Sequence, residues 1–164
     1  MGKKHPWYNS YWTVTHVRDG EVIWQDYKRN ALVDEGEENM LETYYCDQDA
    51  PSQFYLRLCR DSLREIDTLL DVQNEPTLYG YAPQMIERST VGFPTKELHE
   101  GDYRLTTKQV TYAASGGAIG PVNCAYLSTT SDNSGKLIAF VSLSMERTIL
   151  DGDSLYAQIS IKLK

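Results

Sequence analysis

The chain has 164 residues, and its 41% hydrophobic and 24% charged residues are typical of one folded domain with a core of its own. Its 16 basic and 23 acidic side chains give a net charge of −7, which argues against a nucleic acid partner, because such binding needs a basic surface to neutralise phosphates. No apolar run approaches the roughly 20 residues of a membrane-spanning helix, and no apolar stretch after Met1 resembles a secretory signal peptide, so we expect no membrane partner and no secretion.

The first segments of the chain predict an N-terminal arm followed by a β-hairpin. Residues 1–10 are polar and contain a proline, which is typical of a flexible arm. Residues 11–18 and 21–27 are rich in β-branched and aromatic residues, and Asp19-Gly20 lies between them. Two such runs joined by Asp-Gly predict antiparallel strands connected by a tight turn.

Helical periodicity follows at residues 34–45. Five apolar residues at helical spacing predict one buried face: Val33, Met40, Leu41, Tyr44 and Tyr45. Asp34 and Glu37 stand three residues apart, as in a capping box, and the acidic first turns match the positive end of the helix dipole. We therefore predict one short helix whose carboxylates, including Glu35 and Glu38, face solvent and have no catalytic role.

The rest of the chain consists mainly of short runs with strand character. The predicted strands cover residues 53–59, 84–89, 103–113, 122–128, 136–144 and 155–163. A change of side-chain parity near Lys108 predicts a β-bulge or a break, residues 60–81 and 89–101 are expected to be long loops, and residues 115–121 a turn-rich connector. With the hairpin, these seven or eight strands predict a mainly β fold: an antiparallel β-sandwich or jelly-roll-like single domain over residues 11–164, with one short α-helix.

The last predicted strand has the clearest pattern in the chain. One of its faces is entirely apolar: Leu155, Ala157, Ile159, Ile161 and Leu163. Because an unpaired apolar strand would be an aggregation site, we expect this strand to be paired within the sheet.

The sequence carries no recognisable catalytic or metal-binding motif. Cys59 and Cys124 lie in apolar strand-like runs and are expected to be buried free thiols, with Cys46 as an odd third cysteine. The histidines are scattered and lack the spacing of zinc ligands: His5, His16 and His99. The turns at 132–135 and 151–153 offer carboxylate oxygens, so a Ca²⁺ ion stays an alternative to a purely conformational role for these turns. We predict a non-enzymatic protein without a cofactor.

Aromatic side chains are the more informative feature of the composition. The chain has 12 tyrosines beside three tryptophans and three phenylalanines. Such rings pack on one side and keep a polar tip, which suits both strand faces and protein interfaces. The candidates for an assembly interface are Tyr8, Tyr11, Trp12, Tyr79, Tyr81, Phe93 and Tyr156.

Several segments of the chain resemble small structural proteins encoded by tailed bacteriophages. These segments are Asn30–Glu37, Phe54–Asp61, Gly80–Gln84, Ser131–Ala139 and Gly152–Leu155. The similarity is one of pattern over residues 11–163, and it brings no catalytic residues. It implies a location in a virion after synthesis in the host cytoplasm.

The resemblance and the composition together predict a capsid decoration or cement protein on the virion surface. Such a protein would form a homo-oligomer, with a trimer favoured, and would contact other virion proteins such as the major capsid protein. One alternative is a tail-tube or filament-forming subunit. Another is a glycan-binding adhesin or tail-fibre-associated module, in which aromatic rings of the 60–81 and 89–101 loops stack on sugars.

Overall fold

The computed structural model describes residues 8–163, which form an antiparallel β-sandwich with one α-helix. The strands are β1 (Tyr8–Arg18), β2 (Glu21–Asn30), β3 (Gln53–Cys59), β4 (Gln84–Glu87), β5 (Thr95–His99), β6 (Asp102–Thr106), β7 (Val110–Ala113), β8 (Ile119–Ser128), β9 (Leu137–Ile149) and β10 (Ser154–Leu163). The helix α1 covers Asp34–Tyr45, and a short 3-10 helix covers Leu69–Asp71. The mainly β prediction is confirmed.

The strands form two sheets that pack face to face. The six-stranded sheet has the order β2-β1-β10-β6-β5, and β7 also pairs with β10. The four-stranded sheet has the order β4-β3-β8-β9. The last strand is paired along both edges, with β1 on one side and with β6 and β7 on the other, as the sequence predicted. The predicted break near Lys108 separates β6 from β7.

Two hydrophobic cores lie on opposite faces of the four-stranded sheet. The main core fills the space between the sheets and includes Trp12, Leu56, Leu127, Val141 and Ile159. The second core lies on the outer face of the four-stranded sheet, where the 60–81 segment covers it, and includes Cys59, Leu69, Cys124, Tyr126 and Phe140. The buried, unpaired state predicted for two of the cysteines is confirmed, and Cys46 is exposed.

The N-terminal hairpin forms as predicted, but the predicted arm is too long. Tyr8, Asn9 and Ser10 belong to β1 and pair with residues 161–163 of β10. Their own strand propensity is weak, and the pairing with a neighbour decides their conformation. Residues 1–7 of the predicted arm lie outside the described residues.

The helix has the predicted bounds, but its orientation differs from the prediction. The N-cap residue is Val33 and has no side-chain capping bond, so the predicted capping box does not form. Gly36 is the buried residue of α1, and a Cβ atom there would lie 2.8 Å from the Ile138 carbonyl carbon. This close approach to β9 fixes the rotation of the helix, and most of the apolar face predicted to be buried points to solvent.

Glu35 is also placed differently from the prediction. Its carboxylate accepts hydrogen bonds from the backbone N–H groups of Leu69 (3.0 Å) and Leu137 (2.6 Å). Lys136 lies 3.4 Å from its other oxygen. Instead of facing solvent, Glu35 therefore joins the helix to the 3-10 helix and to the start of β9.

Further differences concern strands that depend on their neighbours. The strand β5 lies in the predicted 89–101 loop, and β8 begins at Ile119, within the predicted connector. The strand β9 extends five residues beyond its predicted end at residue 144, to Ile149. In β10 the predicted apolar face is buried only as far as Ile159, because Ile161 is half-buried and Leu163 is exposed. The described residues contain ten strands instead of the predicted seven or eight.

Side chains of β2 close the open edge of β9. Asn30 Nδ2 donates to the Phe140 carbonyl (2.6 Å) and Lys28 Nζ donates to the Ser142 carbonyl (2.8 Å). The Ser144 N–H donates to Asp26 Oδ2 (2.7 Å). Alternate residues of β2 thus replace the backbone partner that an edge strand lacks, and they join the two sheets along one side. We call these three bonds the side-chain ladder.

Candidate assembly surfaces

The sequence-predicted interface residues fall into two groups, and the first group packs inside the protein. Trp12 is buried in the main core, where its Nε1 donates to Ser10 Oγ (3.0 Å). Tyr81 stacks on the Tyr112 ring (5.6 Å between centroids), and Phe93 meets the Phe54 ring edge-on (6.0 Å). These three side chains pack within the fold, and they are not part of an exposed candidate interface.

The second group keeps exposed or half-buried rings on different parts of the surface. Tyr11 lies 6.3 Å from the Tyr27 ring and 6.0 Å from the His99 ring on the outer face of the six-stranded sheet. Tyr156 is half-buried on that same face. Tyr79 is exposed, and Tyr8 is half-buried opposite Leu163. Of the loop aromatics that the glycan-binding alternative needs, Tyr79 alone is exposed, because Tyr81 and Phe93 are packed.

An uncovered part of the inner face of the six-stranded sheet forms the first apolar surface. Opposite residues of an antiparallel pair lie on one face of a sheet. Leu105 lies opposite Ile161, and Leu98 lies opposite Tyr103, so these side chains continue the face that is buried at Ile159. We define the hairpin surface by its four exposed residues, with exposed fractions in parentheses: Leu98 (63%), Tyr103 (61%), Leu105 (42%) and Leu163 (50%).

Among residues 8–163, one basic residue borders the hairpin surface on the same face. Lys96 of β5 lies opposite Leu105 of β6 and is exposed. The cations of Arg104 and Lys162 are engaged on the opposite face of the same strands, with Glu97 and with Glu100 respectively. Of the cations that the structure describes, Lys96 is therefore the closest in register to the apolar residues of this surface.

The outward face of α1 forms the second apolar surface. Its three large residues are mostly exposed: Leu41 (50%), Tyr44 (80%) and Tyr45 (75%). The Tyr44 and Tyr45 rings meet edge-on, with centroids 4.8 Å apart. Glu38 and Glu42 are exposed on the same helix, one turn or less from Leu41. We call Leu41, Tyr44 and Tyr45 the helix surface.

A buried arginine fixes the long 60–81 segment to the four-stranded sheet. The Arg57 guanidinium forms two hydrogen bonds with the Glu75 carboxylate, one of them Nε to Oε1 at 2.9 Å. It also donates to the Asp132 carbonyl (2.7 Å) and to Asn133 Oδ1 (3.0 Å). Tyr126 lies beneath it, 5.1 Å from ring centroid to Cζ. This cluster joins the segment to the turn between β8 and β9.

A second polar cluster lies where β1, β9 and β10 meet. His16 is buried, its Nε2 lies 2.8 Å from Asp153 Oδ2, and Arg147 Nη2 lies 2.9 Å from its Nδ1. Because Arg147 is a donor, Nδ1 accepts and Nε2 carries the proton that is donated to Asp153. Burial lowers the pKa of His16, and the paired bonds from Arg18 hold the pKa of Asp153 well below its usual range. Both ring nitrogens of His16 thus hold charged groups in place.

The sequence pattern does not indicate this cluster, because the members of the cluster are far apart in the chain. His16 and Asp153 are separated by 137 residues. The available signals were the inward parity that His16 shares with Trp12 and the Asp-Gly-Asp turn that contains Asp153. Neither signal identifies the other partner.

Residues 8–163 contain no group of three or more His, Cys, Asp or Glu side chains arranged to hold a metal ion. No helix in that range is long and apolar enough to cross a membrane. Comparisons of the chain with protein-family models, with curated proteins and with solved structures found no match.

Proposed function

We propose that the protein is a non-enzymatic structural component of a tailed-phage virion, and that it acts as a homo-oligomer that decorates or cements the capsid. The virion location rests on the resemblance in sequence pattern, and the major capsid protein is the expected partner. The assembly role rests on the two exposed apolar surfaces. A trimer is the favoured form.

The single observation that carries the proposal is the exposure of seven large apolar side chains on two compact surfaces. Single exposed apolar residues are ordinary, but a cluster of them marks an interaction site. Tyrosine, which provides three of the seven, is enriched among the residues that dominate binding energies. Both surfaces consist of side chains on regular strands or a helix, which hold them in a fixed geometry for a partner.

The acidic character of the chain supports the same role. With a net charge of −7, the protein is repelled by packaged DNA and by anionic cell surfaces. A protein on the outside of a particle therefore meets its neighbours through defined contacts and avoids nonspecific attachment.

A tail-tube or filament subunit is the second candidate. The observation in its favour is that the chain presents two separate apolar surfaces, one on α1 and one on β5, β6 and the end of β10. Such a subunit would form open or stacked rings in the absence of a capsid, whereas a decoration protein would stop at a discrete oligomer.

The test combines native mass with location in the particle. Light scattering of the full chain across a range of concentrations should give a discrete trimer for a decoration protein and rings or open polymers for a tube subunit. Gold-labelled antibody against the chain should label purified particles of the encoding phage, on the head or on the tail respectively. A chain that stays monomeric and is missing from the particles would refute the proposal.

A further inference from the structure

The two buried cysteines lie directly opposite each other on neighbouring strands. Cys59 is the last residue of β3, and its partner in register on β8 is Cys124. Both side chains belong to the second core, so they lie on the same face of the four-stranded sheet. Both thiols are free and fully buried. The fold thus places two unpaired thiols side by side.

A backbone hydrogen bond next to the pair fixes the separation of its Cα atoms. The Leu58 N–H donates to the Tyr81 hydroxyl (2.9 Å), so the backbone groups of Leu58 point away from β8. Because these groups alternate in direction along a strand, the N–H and C=O of Cys59 point toward Cys124. Such a hydrogen-bonded pair has Cα atoms about 5.5 Å apart, within the range of about 4.4–6.8 Å that a disulfide spans.

The 60–81 segment covers this pair with few apolar contacts. It contributes three side chains to the second core, those of Leu63, Leu69 and Val72. Its regular structure is limited to the three-residue 3-10 helix. Segments with few buried apolar contacts open locally at a lower free energy than the unfolding of the whole protein. We therefore expect this segment to open while the two sheets stay folded.

Polar bonds add to these contacts and hold the segment closed. The buried Arg57 of β3 pairs with the Glu75 carboxylate, and Asn133 Nδ2 donates to the Val72 carbonyl (2.7 Å). The charged pair is the stronger of the two connections. Its loss should let the segment open more often.

The thiols are unreactive while the segment is closed. The thiolate is the nucleophile in thiol–disulfide exchange. Its hydrogen bond with Cys59 and its burial raise the pKa of the Cys124 thiol, so this group stays protonated. Opening of the segment brings the pair into water, where a thiol ionises more readily.

We propose that Cys59 and Cys124 are a redox site that forms a disulfide across the four-stranded sheet, and that the 60–81 segment controls access to it. The inference does not depend on the proposed function. A chain that leaves a reducing compartment would enter the oxidising conditions in which such a bond persists.

The oxidant in this step is a small-molecule disulfide such as glutathione disulfide. The thiolate of one cysteine attacks a sulfur of the oxidant, so a mixed disulfide forms and one glutathione thiolate leaves. The thiolate of the second cysteine then attacks the protein sulfur of the mixed disulfide. The bond between Cys59 and Cys124 forms, and the second glutathione leaves. The two cysteines lose two electrons and two protons, and the oxidant gains them as two glutathione thiols.

Oxidation of the full chain with Cys46→Ser tests the site. This substitution removes the exposed thiol, which would otherwise join separate chains. The folded protein is incubated with glutathione disulfide, its remaining thiols are alkylated, and mass spectrometry of its peptides should find Cys59 linked to Cys124. The matched control is Cys59→Ser with Cys46 kept. It also has two cysteines, but Cys46 is exposed at the end of α1, so no internal disulfide should form.

Variants in the Cys46→Ser chain show which opening gives access to the pair. Glu75→Gln removes the charged connection of the segment and should raise the rate of disulfide formation by at least about tenfold. Asn133→Ala is a milder second variant that removes a neutral bond to the segment, and it should raise the rate by about threefold. Ile159→Ala leaves a cavity in the main core on the other sheet, so it destabilises the whole fold and should raise the rate much less. Thermal unfolding verifies that each variant folds.

The outcomes are distinct. A linked peptide that forms faster in Glu75→Gln or Asn133→Ala than in Ile159→Ala supports the inference. If no folded variant gives the linked peptide, the redox site is refuted. Equal rates in all three variants would overturn the role of the segment, because oxidation would then require unfolding of the whole chain.

The Tm of the oxidised chain tests whether the bond fits the sheet. The bond closes the chain between residues 59 and 124 into a loop, which restricts the unfolded state and should raise the Tm by about 5–15 °C. A reductant should return the Tm to that of the reduced chain. A lower Tm after oxidation would show that the bond distorts the sheet, and it would overturn the inference.

Discussion

Replacement of Glu75 by glutamine should destabilise the protein strongly, because it leaves a buried cation without its counter-charge. The Arg57 side chain is 2% exposed and that of Glu75 is 20% exposed. The substitution keeps the shape of Glu75 but removes its negative charge. The remaining acceptors of the guanidinium, including the Asp132 carbonyl and Asn133 Oδ1, are neutral.

The magnitude follows from the burial of the two partners. Removing one member of a buried ion pair costs about 3–5 kcal/mol. Because Glu75 is partly exposed, water enters its side of the pair, and we expect about 3 kcal/mol, the lower end of that range. For a chain of this length, 3 kcal/mol lowers the Tm by roughly 6–12 °C.

A double-mutant cycle with Arg57→Met shows whether the pair acts as a unit. The doubly substituted chain has no buried charge left unpaired, so its destabilisation should fall below the sum of the single effects by about 2 kcal/mol. The measurement is urea denaturation at neutral pH with circular dichroism. The matched control is Glu146→Gln, because Glu146 pairs with Arg60 on the surface and its loss should cost less than about 1 kcal/mol. The reasoning is refuted if Glu75→Gln costs no more than the control, or if the cycle is additive.

Three further predictions concern single residues of the fold. Burial lowers the pKa of His16, so protonation favours the unfolded state. The free energy of unfolding should therefore be constant above pH about 6.5 and fall below that pH by up to about 1.4 kcal/mol per pH unit. Urea denaturation at several pH values measures this slope, and His16→Gln should remove it. Gly36→Ala should lower the free energy of unfolding by about 1–3 kcal/mol, because the Cβ of the alanine collides with the Ile138 backbone. Helix propensity alone predicts a higher Tm for this variant, and such a gain would contradict the close approach. Ile159→Asp should abolish cooperative thermal unfolding, because it places a lone carboxylate in the core. Leu163→Asp, on the same face of the strand, should leave the fold intact because Leu163 is exposed. Normal melting of the Ile159→Asp variant would mean that the strand is assigned wrongly.

The elements that could be predicted are those whose information is local. The Asp19-Gly20 turn has positive φ angles of 51° and 80°, which these residue types tolerate, so the hairpin follows from its own sequence. The helix bounds and the central strands likewise depend on periodicity within a few residues. The strand β5 is exposed on four of its five residues and exists because β6 offers it a partner, which its own sequence does not indicate.

The helix surface also shows that a local pattern does not reveal which residues a neighbouring element covers. The periodicity correctly groups Leu41, Tyr44 and Tyr45 on one helix face, but it does not tell which neighbour covers that face. The rotation of the helix is fixed by the contact of Gly36 with Ile138, a tertiary distance that the pattern does not contain. Trp12 shows the reverse case, because an aromatic residue chosen for an interface fills the core instead.

The side-chain ladder between β2 and β9 determines which kinds of association are reversible. A strand from another molecule could extend the four-stranded sheet at β9 only after displacing the bonds of Asp26, Lys28 and Asn30. Strand addition propagates without limit, whereas contacts between side-chain surfaces end when their geometry closes. At a high local concentration of the chain, an occupied edge therefore favours bounded, dissociable assemblies over continuous hydrogen-bonded aggregates.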